Sequence, residues 1–311
     1  MTTSPQPPIQ APDDFDPPVG IPIALEPGLT RVLCPNPSPM TYRGTNTYLL
    51  GTRGLAAIDP GPSSEPHLAA LLAAVQPDQE ITHIFVTHSH LDHSPLSRAL
   101  AKATGAPVLA FGDWQAGRSQ VMQELAAQGL AGGGEGVDAA FHPDITLQDG
   151  QEITGDGWSL RAIHTPGHYG NHLSFAWGDA LFCGDHVMGW ASSLVSPPDG
   201  DLSDFMASCA RLQRRDWRIF HAGHGAPISD PSGRLDWLVS HRQGREAEIL
   251  TALGHGPATA YALAERIYIE VPKHFIGAAT RNVFAHLVDL TGKRRVAPRP
   301  HLAADAEFQL L

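Results

Sequence analysis

The chain has 311 residues, 42% hydrophobic and 17% charged, enough for one large domain or two smaller ones with a sizeable core. Its net charge of −11 is uneven: residues 1–240 hold 12 Lys/Arg against 25 Asp/Glu, residues 241–311 hold 9 against 7, and strong non-specific binding of nucleic acid by the whole chain is disfavoured. No apolar run approaches the roughly 18 residues of a membrane span. No secretory leader is legible, and the expected location is the cytoplasm. Cys34, Cys183 and Cys209 are too few and too scattered for a disulfide framework or a thiolate zinc site.

Residues 1–20 are rich in proline and read as an extended arm. The main domain is expected over residues 21–240 and a second module over 241–311. Thr47–Leu50 and Leu55–Ile58 read as strands around a Gly51–Gly54 turn, His67–Val75 as a helix, and Ile81–Thr87 as a short buried strand. Ser97–Thr104 returns to helix and Pro107–Phe111 to strand. The glycine-rich stretch 129–138 lacks the strand-then-helix context of a dinucleotide site and reads as a loop. Trp158–His164 alternates as a strand does, and Leu173–Trp177 and Ala180–Cys183 flank a Gly178-Asp179 turn. Asp201–Leu212 is an expected helix and Arg218–Phe220 a strand. Beyond Leu235 three helices are expected, Leu235–Leu253, Thr259–Ile267 and Ala278–Leu290. Two short strands at Val296–Pro300 and Glu307–Leu311 follow, a pattern similar to a winged-helix module. The alternation of strands and helices indicates mixed α and β architecture.

Seventeen histidines direct attention to their clustering. The segment Thr87-His88-Ser89-His90-Leu91-Asp92-His93 follows an expected strand. In an extended segment His88 and His90 point the same way, and the Asp92-His93 corner adds two more donors. Three imidazoles and a carboxylate within six residues are costly as a purely structural cluster, and a metal ion removes that cost. His168, Asp185 and His224 each follow a glycine (Gly167, Gly184, Gly223) near the end of an apolar run. Glycine permits the sharp turn and close backbone approach that deliver a side chain to a common centre. Asp59 is a candidate brace for the histidine loop. His164, His172, His186 and His221 read as structural neighbours, Cys183 as a small buried hydrophobe, and Ser192 and Ser193 as loop serines near the pocket.

The HxHxDH segment with three later donors resembles the metallo-β-lactamase superfamily. That resemblance implies an α+β fold, the four-layer αββα sandwich, here with a C-terminal winged-helix-like module. It implies that His88, His90 and His168 hold one divalent ion, that Asp92, His93 and His224 hold a second, and that Asp185 bridges them. The set is similar to the glyoxalase II, lactonase and RNase Z branches; the true β-lactamases commonly carry cysteine at the bridging position. Asn36-Pro37-Ser38-Pro39-Met40-Thr41, Gly44-Thr45-Asn46-Thr47-Tyr48-Leu49 and Ser240-His241-Arg242 resemble the β-lactamase-like protein subfamily, which includes a mitochondrial endoribonuclease. Ser94-Pro95 stands where that family has Gly-Gly, so an altered loop shape is expected.

The expected activity is metal-dependent hydrolysis by a metal-bridging hydroxide, with Asp92 and Asp185 as catalytic carboxylates. Two divalent ions are expected, zinc first and manganese or iron as alternatives. The acidic catalytic part favours a small ester, thioester or lactone substrate. A single-strand endoribonuclease is the alternative, and a ligand-sensing or DNA-binding regulator a third reading. No membrane partner is expected.

Overall fold

The structure, a computed structural model, describes residues 14–133, 136–269 and 272–311. A seven-stranded sheet takes its strands in chain order: β1 (Ile23–Glu26), β2 (Leu29–Leu33), β3 (Asn46–Leu50), β4 (Gly54–Ile58), β5 (Glu80–Phe85), β6 (Val108–Ala110) and β7 (Ile145–Thr146). Helices α1 (Glu65–Ala74) and α2 (Leu96–Thr104) are the crossovers that let β4, β5 and β6 run parallel. Helix α3 (Gln120–Ala127), which the sequence pattern did not single out, precedes β7. The second sheet comprises β8 (Glu152–Gly155), β9 (Trp158–His164), β10 (Leu173–Trp177), β11 (Ala180–Gly184) and β12 (Ile219–Ala222), in the order β12-β11-β10-β9-β8. Helix α4 (Leu202–Leu212) lies between β11 and β12, which are parallel.

Strand alternation decides the layering, because neighbouring side chains leave opposite faces of a strand. Tyr48, Leu50, Ala56, Ile58 and Phe85 meet Trp158, Leu160, Phe175 and Phe182 between the sheets. Their alternates Leu49, Leu55, Ala57, Ile84 and Val86 face outward and pack on Leu71 of α1 and Leu96 and Leu100 of α2. On the far side, Ile163, Ala176, Leu181 and Cys183 pack on Leu202, Phe205 and Cys209 of α4. The result is helix, sheet, sheet, helix, the expected four layers.

The C-terminal part follows from α5 (Pro231–Leu253), which starts on an Asp230 cap with proline in its first turn. It continues through β13 (Ala258–Thr259), α6 (Ala260–Ile267), α7 (Ile276–Gly292), β14 (Val296–Arg299) and β15 (Glu307–Leu310), with a three-stranded sheet ordered β13-β15-β14. Helix α5 is continuous through residue 240, and its first half packs on the second sheet through Leu235 and Leu238. Its last turns join a separate core with Leu263, Val283 and Phe308, to which α3 contributes Met122 and Leu125. Of the proline-rich stretch, residues 1–13 lie outside the described residues; Phe15 is buried, 6.0 Å from the Tyr42 ring and with the Arg31 guanidinium 4.9 Å from its own. Among the described residues no helix is long and apolar enough to cross a membrane.

Two imidazoles, one buried and one half-buried, predict that the fold weakens in acid. The ring Nε2 of His67 is 2.8 Å from Thr47 Oγ1, and Thr47 donates to the Asp59 carbonyl, so His67 is the donor. Burial lowers His67 to about 4. Burial, then the neighbouring Arg242, Arg245 and Arg234, lowers His241 to about 3. Because the folded values lie below the ordinary 6.5, the unfolded chain takes up protons first. The stability these groups contribute is present above pH 6.5 and is lost as pH falls through their folded values. The melting temperature should therefore drop across that window, and His67→Gln, which keeps a donor without a titrating ring, should make the drop shallower. An identical pH profile for the two proteins would remove His67 from the explanation.

Candidate metal centre

Four strand ends at one edge of the sandwich supply the chemistry. Val86–His93 continues from β5, His168 follows β9, Asp185 follows β11 and His224 follows β12. Two groups of buried donors result: His88, His90 and His168, and Asp92, His93, Asp185 and His224, the donor atoms of each group lying within 4.8 Å of one another. In the first, His90 Nδ1 is 3.0 Å from both His88 Nε2 and His168 Nε2. In the second, His224 Nε2 is 3.1 Å from Asp92 Oδ2 and 3.3 Å from His93 Nε2. Asp185 lies between the groups: Oδ2 is 3.3 Å from His224 Nε2 and 3.8 Å from His168 Nε2, and Oδ1 is 3.5 Å from His93 Nε2.

Hydrogen bonds at the outer ring nitrogens decide where the lone pairs point. His168 Nδ1 donates to the Leu194 carbonyl at 2.7 Å, and His224 Nδ1 to the Gly44 carbonyl at 3.1 Å. His93 Nδ1 is held by Asp59 Oδ2 at 3.0 Å. Thr87 Oγ1 donates to Asp59 Oδ2, so it accepts from His88 Nδ1 at 3.0 Å. These four rings turn Nε2 inward, and Asp59 is the brace the sequence suggested, its other oxygen accepting from Thr87 N at 2.7 Å. In the first group His88 and His168 both direct a lone pair at one nitrogen of His90, which has at most one proton to share. A cation among the three removes the repulsion. Bonds of about 2.0–2.1 Å in a tetrahedral site put ligand nitrogens about 3.3 Å apart, close to the spacing found. In the second group Asp92 Oδ1 and Asp185 Oδ1 are buried without a hydrogen-bond donor. The donors present therefore fit two metal ions.

The electrostatics of the two groups differ. Burial, then the charge of His168, lowers His90 to about 3, and burial also lowers His88 and His168, so this group offers neutral imidazoles. In the second, burial works against charge, yet Asp185 and Asp92 raise His224 to about 10, and Asp92, Asp185 and Asp59 raise His93 as well. Burial similarly opposes the charge of Asp92, but His93 and His224 lower it to about 2. Metal entering the second group must displace protons, whereas the first group has none to release.

The glycines before the later donors act in different ways. Gly167 has φ +144°, and a side chain there would meet the Phe205 backbone of α4 at 2.3 Å. Gly223 needs space alone: an added Cβ would lie 2.4 Å from Asp185 Oδ1 and 2.7 Å from His93 Cε1.

The histidines next to these donors fall outside the two groups. His172 bonds Thr165, the His164 ring stacks on Phe111, His186 lies against Cys209, and His221 against Glu26. Cys183 is buried, and its thiol donates to the Val187 carbonyl. Ser192 lines the cavity beside the donors, while Ser193 turns away to the His186 carbonyl. Pro95 stands at the cap position before α2 and Ser94 bonds Asp138, with His93 retained in its group.

The polar motif before β3 surrounds the site. Asn36 fixes Thr45, Thr45 Oγ1 donates to the Asp92 carbonyl at 3.0 Å, and Asn46 donates to the carbonyls of Ala222 and Gly225 beside His224. Asn171, which sequence reasoning passed over, ties Ser89 to the Asp113 carbonyl. The sign available was a run of buried polar residues entering an apolar strand.

Gly223→Ala tests the space requirement. It should lower the metal content of the purified protein, whereas Gly292→Ala, with nothing within 4 Å of its added Cβ, should leave it unchanged. Elemental analysis decides between them, and equal metal content in both variants would show that the Gly223 contact is not restrictive.

A model of the metallo-beta-lactamase superfamily matches residues 40–255. A beta-lactamase-like protein 2 homolog of Drosophila melanogaster is 34% identical over 299 residues, 91% of this chain and 94% of that protein. An atrochrysone carboxyl ACP thioesterase of Aspergillus fumigatus is 32% identical over 268 residues, 80% of this chain and 76% of that one. The crystal structure of a metallo-beta-lactamase family protein from Thermus thermophilus aligns with a TM-score of 0.73 at 25% identity, over 93% of this chain and 100% of that one. A beta-lactamase domain protein from Burkholderia ambifaria shares the fold, with a TM-score of 0.79 at 19% identity over 96% of each chain. With its four-layer sandwich and two His/Asp groups able to hold metal ions, the chain belongs to the metallo-beta-lactamase superfamily and is a metal-dependent hydrolase.

Proposed function

We propose that this chain hydrolyses a small acyl substrate, a thioester first and a related ester or lactone second. The observation that carries the reading is the wall of the cavity at the donor groups. His90, Asp92, His168 and Asp185 form its floor, and Pro39, Met40, Met188, Trp190, Leu194 and Ala278 its apolar sides, around about 140 Å³. No lysine or arginine is among the described residues lining it. Such a wall suits an uncharged acyl chain and offers a phosphate backbone no cationic side chain. The relatives named as ACP thioesterases support the same substrate class. A larger cleft of about 620 Å³, lined by Arg53, Asp78, Glu80 and Asp156 among others, includes none of the donors.

We assign His88, His90 and His168 to one ion, Asp92, His93 and His224 to the other, and Asp185 to both. Nitrogen and oxygen donors without thiolate suit zinc, with manganese and iron as alternatives. Divalent ions bound there would supply Lewis acidity and lower the pKa of a water toward neutrality. The protein's own residues do the rest. Asp185 spans the two groups, Asp92 faces the cavity with a free carboxylate oxygen, and Met40, Met188 and Trp190 hold the acyl chain and exclude water. We read α5–α7 with β13–β15 as a winged-helix-like module that here covers the site, since Ala278 and Asn282 of α7 line the cavity.

A panel of acyl thioesters, esters, lactones and short single-stranded RNA at two salt concentrations tests the reading. Thioester turnover should be nearly independent of salt and should stop on exhaustive chelation. Efficient RNA cleavage that collapses with added salt, without acyl hydrolysis, would overturn it in favour of a nuclease. Asp185→Asn should lower turnover by at least about a hundredfold while the fold persists in circular dichroism.

A further inference from the structure

Arg242 is a buried cation, 2% exposed, in the segment Ser240-His241-Arg242 on α5, and it forms no ion pair with a carboxylate among the described residues. Burying a charge without such a partner is costly unless its donors are satisfied. Its guanidinium lies 5.2 Å from the centre of the Phe205 ring. Nη2 donates to the Ser193 carbonyl, and Nη1 donates to Asn282 Oδ1 of α7 at 3.1 Å. The same Asn282 oxygen accepts from Val195 N at 3.2 Å. Ser193 and Val195 are thus held from either side, and between them stands Leu194, whose carbonyl accepts from His168 Nδ1 at 2.7 Å. Arg234, on the same helix, donates to the carbonyls of Met188 and Ala191 at 2.7 Å each, so α5 grips this loop along its length.

We propose that Arg242 and Asn282 are positioning residues for His168: by clamping Ser193 and Val195 they set the Leu194 carbonyl that selects the ring's tautomer and aims Nε2 at the His88–His90 pair. The inference rests on the assignment of His168 as a metal donor. It gives the C-terminal helices a part in building the site as well as in covering it. Arg242 does not line the catalytic cavity; its hydrogen bonds run to the Ser193 carbonyl and to Asn282, and its guanidinium lies against the Phe205 ring. A guanidinium suits the task because its fixed fork reaches two acceptors at once, which an ammonium does not reproduce.

The test compares wild type, His168→Ala, Arg242→Met, Arg242→Lys, Asn282→Leu and Asn282→Asp. Zinc affinity is measured by competition with a chelator, and thermal unfolding of the metal-free proteins reports the fold. In metal-free protein labelled with nitrogen-15, the His168 Nδ1 proton reports the tautomer directly. Asn282→Asp keeps the acceptor for both donors and should leave the His168 Nδ1 proton protected. Arg242→Met, Arg242→Lys and Asn282→Leu should weaken zinc binding at one of the two sites by about 10–100-fold and expose the His168 Nδ1 proton to exchange, with the protein still folded. Asn282→Leu carries the test alone if Arg242→Met does not fold. Folded Arg242→Met and Asn282→Leu with wild-type zinc affinity and a protected proton would overturn the clamp. If His168→Ala binds zinc as wild type does, the donor assignment itself fails and the clamp loses its object.

Discussion

Imidazole nitrogens buried 3.0 Å apart, with lone pairs turned toward one another, are the constraint around which this edge of the molecule is organised. A proton on His90 Nδ1 serves only one of its two neighbours, and the outer nitrogens of His88 and His168 are committed to Thr87 and Leu194, so neither ring can turn a proton inward. The arrangement is held together by the rest of the fold against its own repulsion, and it becomes favourable with cations at its centre. Asp59 sits at the focus of this restraint. It has φ +52° and joins the end of β4 to the end of β5 through Thr87 and His93.

Two stacked sheets meet this constraint because their strand ends coincide. The parallel pairs β4–β5 and β11–β12 bring Asp59 and the His88–His93 segment to the same edge as Asp185 and His224. Glycine before each later donor leaves room that a Cβ would fill, against the α4 backbone at Gly167 and against neighbouring side chains at Gly184 and Gly223. The surrounding polar residues, Asn36, Thr45, Asn46 and Asn171, then occupy a layer whose contacts run to backbone carbonyls, amides and other fixed polar groups. Helix α7 lines the cavity with Ala278 and Asn282, and α5 belongs to both cores: its first half packs on the second sheet and its last turns on α6 and α7.

Much of this was legible in the residues. Alternation in Thr47–Leu50, Leu55–Ile58 and Trp158–His164 specifies which side chains meet between the sheets, and the strands lie there. The dense segment from His88 to His93, with glycine before His168, Asp185 and His224, named the donors that the fold gathers into two groups. Helix α3 went unseen because Gln120–Ala127 is short and its apolar residues, Met122 and Leu125, are satisfied only by a core built more than a hundred residues later.

What the sequence by itself determined is the chemistry available: which side chains can bind metal, that no thiolate accompanies them, and where strands end so that those side chains emerge. What only the tertiary structure decided is how that chemistry is aimed. The tautomers depend on carbonyls of Gly44 and Leu194, and a carbonyl has no sequence signature. The cavity wall combines Met40, Met188, Trp190 and Ala278, brought together from distant segments. The position of Asp185 between the two groups depends on the pairing of β11 with β12 and on the packing of the second sheet against the first, both long-range outcomes of burial rather than of local pattern.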